Sequence, residues 1–391
     1  MAMGVVLGVA TVVLVLPALL LIFDGPIEKW KHRSLIPSFE RVNSFVVRRR
    51  KLFVAIFLVL FIPAVYAQSH AGVYYKLDDG LPRDMNSIIS NQKLKNDFGM
   101  ATSHFAILRD DLSDVEMNLL EAELQEIEGV SSVLGYHSLL GSGIPDFFIP
   151  EGVRSMLKQG GLQMMMINSD CETGSDEVGV QLGKIKAVLQ SYDPGALLTG
   201  EAAMTDDLIT TSAVDFKRTN YISIAAIFLI VAVVFTSLSM PVVLVAAIEL
   251  AIFINQGIPY FTGTLIPFIS PTIVGCVQLG ATVDYAILMG TRFREELQSG
   301  KDRLEAIQVA ANASDASIIT SSLVLFCATL GVGMVSKIEI IGSLCMMLAR
   351  GALISALMSI FVMPSLLCVC EPIIAKTSLF WRKPRRRKQQ E

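Results

Sequence analysis

Seven apolar runs, each long enough to cross a bilayer, constrain this chain more than any other feature: roughly 3–23, 52–68, 220–238, 241–258, 266–290, 316–335 and 343–369. About 20 helical residues span the ~30 Å hydrocarbon core. Inside it every backbone N–H and C=O must be paired within the protein, so such runs fold as helices. With 52% hydrophobic and 17% charged residues, the chain reads as a polytopic α-helical membrane protein with about seven transmembrane helices. Between the second and third runs, the polar stretch 69–219 is long enough to be a domain of its own.

Charge placement sets an expected orientation. Residues 69–219 hold 11 of the 32 basic and 23 of the 36 acidic residues, which leaves 21 and 13 elsewhere. Nineteen of those 21 fall in the loop 24–51, the loop 291–315 and the tail from Lys376 onward. Alternating seven spans puts all three on one face, cytoplasmic by the positive-inside rule, so 69–219 and its acidic excess lie outside. Beside a membrane, the tail Arg382-Lys-Pro-Arg-Arg-Arg-Lys388 marks topology and attraction to membrane lipid rather than to nucleic acid.

The same alternation puts Met1 outside, and the chain opens on an apolar span without the basic start of a signal peptide. A shift of 347 residues lays Gly4–Asp24 over Gly351–Glu371, matching the glycine, Val15 with Val362, Pro17 with Pro364, two leucine pairs and the closing acid. A repeat of this kind makes residues 1–24 the last transmembrane helix of a preceding half. The expected order continues with a basic cytoplasmic linker at 25–51, a helix at 52–68, the outer domain at 69–219, a five-helix bundle at 220–370 and a basic cytoplasmic tail at 371–391.

The outer domain reads as α+β, two β-α-β units in a ferredoxin-like layer. Thr102–Arg109 alternates as a strand; Ser113-Asp-Val-Glu116 is a capping box before a helix whose Val115, Leu119, Ala122 and Ile127 are expected to share the buried face; Gly129 ends it and Val130–Tyr136 returns as a strand. The second unit has strands at Gln163–Ile167 and Ala196–Thr199 around a helix at 175–191 with Val178, Leu182, Ile185 and Leu189 in register. Between the units, Phe147 and Phe148, with Met164 and Met166, either line a hydrophobic substrate cleft or form the domain's core.

Asp284 points to chemistry most sharply, because it sits inside the run 266–290. A charge at the bilayer centre costs ~2.5–3.5 kcal/mol on insertion scales, so an acid there is held by partners or exchanges a proton. Tyr285 places a phenol beside it, and Gly280 one turn earlier permits close helix approach. With Arg292 as the cytoplasmic boundary, Asp284 lies ~12 Å deep, a depth at which Thr320 and Ser321 of the next helix offer hydroxyls. Glu249 and Arg350 are further ionisable groups within apolar runs, each either functional or satisfied by a buried polar contact.

Five of the six cysteines lie in apolar runs, leaving Cys171 without a disulfide partner in the outer domain, and the four histidines lie outside the runs. No Cys/His metal spacing, Walker loop or nucleophile elbow occurs, so neither an enzyme, a metal nor a cofactor is expected.

The order of one apolar helix, a large β-α-β outer domain and five further helices resembles one half of an RND-superfamily exporter. The local text resembles its MMPL branch: Gly200-Glu-Ala-Ala, then Gly280-Ala-Thr-Val-Asp284-Tyr285-Ala-Ile-Leu-Met-Gly-Thr-Arg292-Phe-Arg-Glu-Glu296, then Arg350-Gly-Ala with Pro364-Ser-Leu-Leu. The resemblance covers nearly the whole chain. It implies a porter-type outer domain, an Asp284–Tyr285 proton relay with protons as the coupling ion, and export of a lipid-like or amphiphilic molecule from a cell membrane. It also implies a missing N-terminal half, in the same chain or as a separate subunit, and leaves homo-oligomerisation open. Two other readings share the architecture: a SecD/SecF-like secretion accessory, and a non-transporting module akin to sterol-sensing proteins.

Overall fold

The computed structural model describes residues 2–29, 39–75, 81–82, 84–98, 100–136, 152, 155, 157–379 and 381. Seven helices among them are long and apolar enough to cross a membrane. The chain divides into two compact units, Met1–Arg41 and Val42–Glu391. The first contains α1 (Ala2–Lys29), an apolar helix that carries Pro17 and Pro26.

In the second unit, α2 (Glu40–Arg48) is short and amphipathic, burying Asn43, Val46 and Val47. The Asn43 amide donates to Asp315 Oδ2 at 2.6 Å and to Asn312 Oδ1 at 2.7 Å. The membrane-length helix α3 (Arg50–Ser69) follows after one residue.

The polar stretch then folds as β1 (Val73–Tyr74), α4 (Asn86–Phe98), β2 (Thr102–Arg109), α5 (Asp114–Gln125), β3 (Val130–Leu134), β4 (Lys158–Gln159), β5 (Leu162–Ser169), α6 (Asp176–Tyr192) and β6 (Leu197–Gly200). The main sheet runs β3-β5-β2-β6 with every pairing antiparallel, and β4 adds to β5. Thr102, His104, Ala106 and Leu108 alternate inward along β2. They meet a core of Met117, Leu120 and Leu124 from α5, Met165 and Ile167 from β5, and Ile185 and Leu189 from α6.

Local sequence explains both helices. Ser113 Oγ accepts the Glu116 backbone N–H while Glu116 Oε2 accepts the Ser113 N–H, closing the capping box; Ser175 caps α6 through the Val178 N–H. The buried face of α5 is not the one expected from its periodicity. Val115 and Leu119 are 67% and 53% exposed, and Met117, Leu120 and Leu124 face the sheet instead. Two apolar stripes share this short helix, and packing against β2 and β5 selects one of them. In α6, all four expected residues are buried.

The third expected span, 220–238, is the later part of a much longer helix, α7 (Glu201–Phe235). It leaves β6 at Gly200, whose φ of 130° and close approach to the Ser103 carbonyl exclude a side chain. Ala202 packs with Val178 and Leu182 of α6, whereas Val231 and Phe235 lie in the bundle core, so one rod joins sheet and bundle. The bundle continues with α8 (Ser239–Thr262), β7 (Ile266–Pro267), α9 (Ser270–Gln298), α10 (Arg303–Val335), α11 (Glu339–Leu357), a π-helical turn at Met358–Val362 and α12 (Met363–Thr377). Residues 266–267, expected as helix, instead pair in parallel with β1. α8 contributes buried residues along most of its length and packs on α3, α7, α9, α11 and α12.

Candidate functional site

α9 has two unlike faces, and the Asp284–Tyr285 pair straddles them. Tyr285 is buried with Thr282, Ala286 and Met289, while Ile273, Val277, Gly280 and Asp284 recur at helical spacing along an exposed lateral stripe. Consecutive helical residues point about 100° apart, so the phenol faces the core and the carboxylate faces out. Among the described residues Asp284 makes no side-chain hydrogen bond and no ion pair. Thr320 and Ser321 are exposed on α10, but the Thr320 hydroxyl donates to Ala316 O of its own helix at 2.8 Å. No hydrogen bond joins them to Asp284.

Behind this stripe lies a polar network that ties three helices together. Asn255 of α8 donates through Nδ2 to Gln278 Oε1 of α9 at 2.9 Å and to Met347 O of α11 at 3.0 Å. Gln278 Nε2 donates to Ser355 Oγ at 2.9 Å and to Gly351 O at 3.3 Å. Arg350 donates through Nε to Asn255 Oδ1 at 2.9 Å and through Nη2 to Asn255 O at 3.0 Å. Gly351 is required beneath it, since a Cβ there would stand 2.6 Å from both Asn255 Nδ2 and Gln278 Oε1. Arg350 thus partners Asn255 and not Glu249, which is buried on α8 with Oε1 unpartnered.

Gln278 is the central residue that sequence reasoning passes over, although an amide inside an apolar run is itself a signal. It sits six residues before Asp284 and ties this helix to α8 and α11 through its side chain, while Thr282 Oγ1 donates to its carbonyl within the helix. In the sheet domain, Met164 and Met166 are half-buried on the face opposite the core, whereas Met165 between them is buried. Phe147 and Phe148 lie outside the described residues.

Fold and site together define a multi-pass membrane protein with an acid–phenol pair on a membrane-length helix. The MMPL family profile matches residues 122–391, more than half of the chain, and the chain belongs to that family. Among curated relatives, "Putative membrane protein YdgH" of Bacillus subtilis is 28% identical over 38% of this chain and 17% of its own length. "Putative membrane protein ActII-3" of Streptomyces coelicolor is 30% identical over 44% of this chain and 24% of its own. "Probable trehalose monomycolate exporter MmpL3" of Mycobacterium leprae is 27% identical over 51% of this chain and 21% of its own. The chain therefore aligns with less than a quarter of each of these relatives.

Proposed function

We propose that this chain is the C-terminal half of a proton-driven exporter of lipid-like or amphiphilic molecules, with Asp284 as the group that takes up and releases the proton. The observation that carries this reading is the unbonded Asp284 carboxylate on an open face of a membrane-length helix. Among the described residues no structural partner holds this acid, which leaves its carboxylate open to a passing proton. MMPL membership and the export of trehalose monomycolate named for the mycobacterial relative support a lipid-like cargo.

In this reading the sheet domain is extracytoplasmic and the C-terminus cytoplasmic. The strand order β3-β5-β2-β6 under two helices supports a ferredoxin-like, porter-type layer. The missing N-terminal half covers the exposed stripe of α9. A proton entering from outside neutralises Asp284, and release to the cytoplasm restores the charge, each charge crossing 100 mV supplying ~2.3 kcal/mol. The two charge states favour different packings of α9 against its partner half. α7, continuous from β6 to Phe235, carries that difference to the sheet domain. Tyr285 is buried in the bundle core beside the acid.

The test uses the chain joined to its N-terminal half in proteoliposomes. Asp284→Asn keeps the size and hydrogen-bonding capacity of the acid and removes its proton, so proton uptake and lipid efflux should both fall at least a hundredfold while insertion is preserved. Tyr285→Phe should slow transport less. An Asp284→Asn protein that still couples proton uptake to efflux rejects the reading.

A further inference from the structure

At the end of the bundle that joins the sheet domain, a cavity of about 590 Å³ opens between β1, the α8–α9 connection and α11. Ile266 and Met347 in its wall are buried, whereas Leu265 and Met346 are 64% and 48% exposed, so apolar surface continues from the cavity to the outside of the bundle. Arg350 also lines it, half-buried.

A guanidinium keeps its charge under all ordinary conditions and offers five N–H donors. Here Nε and one Nη hydrogen are used on the two oxygens of Asn255, which is itself fully buried and bonded to Gln278 and Met347 O. The cation is therefore held in one orientation by a built support. The remaining donors meet no partner among the described residues, and no carboxylate there lies within ion-pair distance of Arg350. Glu339 lines the same cavity, but it is eleven residues earlier on α11, ~16 Å of helical rise away. Cations withdrawn from water are normally matched by an anion. Among the described residues this one is oriented, open to a cavity of ligand size and unmatched.

We propose that this cavity binds an anionic amphiphile, with a phosphate or carboxylate head on Arg350 and an acyl chain laid along Met347, Met346 and Leu265. The class of ligand rests on the lipid-exporter reading above; the site itself rests on the cavity, the held guanidinium and the lack of a counter-charge among the described residues. A planar guanidinium with adjacent free donors matches an oxyanion in two-point fashion. The apolar exit gives an acyl chain somewhere to go, which free phosphate would leave unused.

The test is binding of lysophosphatidic acid to the full chain in neutral detergent, followed by native mass spectrometry and calorimetry, with no proton gradient. Wild type should bind it. Arg350→Gln should weaken it at least tenfold while leaving lysophosphatidylcholine unchanged. Ser343→Trp, which fills the cavity from a position about two helical turns before Arg350, should lower lysophosphatidic acid binding as far. Millimolar inorganic phosphate should not displace it. Wild-type binding by the Trp variant, or displacement by phosphate alone, overturns the proposal, and so does wild-type binding by a folded Arg350→Gln protein. Should Arg350→Gln lose its melting transition, the Trp variant decides. Failure here leaves the Asp284 transport test untouched, and failure there leaves this one standing.

Discussion

His104 ties the sheet domain to pH. It points inward from β2, fully buried, with neither ring nitrogen in hydrogen-bonding geometry to a partner. Burial lowers its pKa, and the nearby Gln181 side chain offsets part of that shift. The folded value lies below the unfolded value of about 6.5, so the unfolded chain binds the proton more readily. Stability of the sheet is then fully present above about pH 6.5 and declines as pH falls through it. Amide exchange in β2 and β5, corrected for intrinsic rates, should be slower at pH 7.5 than at pH 5.5, and His104→Phe should flatten the difference. An unchanged pH dependence in the variant removes His104 as its cause. Single residues differ in how far sequence reveals them. Asp284 stands out because a carboxylate in an apolar run is costly wherever it ends up. The importance of Gln278 arises only when Asn255 and Ser355 arrive from other helices, at sequence separations of 23 and 77 residues.

At the scale of the element, what was legible is what local chemistry decides. The capping box at Ser113 and the alternation of Thr102–Arg109 are local, and both occur at those residues in the structure. The buried stripe of α5 is not local, since Val115 and Leu119 compete with Met117, Leu120 and Leu124 and only the sheet chooses. The length of α7 was hidden for a related reason: its first half is polar and so falls outside any search for apolar runs, yet it is helical and packs Ala202 on Val178 and Leu182 of α6. The cap itself can be weighed. Ser113→Ala removes the oxygen that accepts the Glu116 N–H, a loss of about 1 kcal/mol. Exchange at the start of α5 should quicken roughly fivefold, while α6, capped separately by Ser175, is unchanged. Equal quickening in both helices would mean that the sheet domain opens as one unit and that the cap does not act locally.

For the whole molecule, seven membrane-length helices were legible because hydrocarbon thickness fixes their length, but orientation comes only from charge. α7 leaves the sheet domain, α8 returns toward it and α9 leaves again, so Ser299, just past α9, lies at the end of the bundle away from the sheet. Four basic residues, Arg292, Arg294, Lys301 and Arg303, surround Ser299, whereas the sheet domain carries the acidic excess. A translocated segment rich in lysine and arginine is disfavoured, so the Ser299 end should stay cytoplasmic. Ser191, exposed near the end of α6, and Ser299, also exposed, provide a matched pair of probes once Cys171 and Cys327 are replaced by serine. In intact cells a membrane-impermeant maleimide should label Ser191→Cys at once and Ser299→Cys only after permeabilisation. The reverse pattern would put the sheet domain in the cytoplasm. It would then reverse the direction in which a proton reaching Asp284 moves cargo, and the export reading would fail with it.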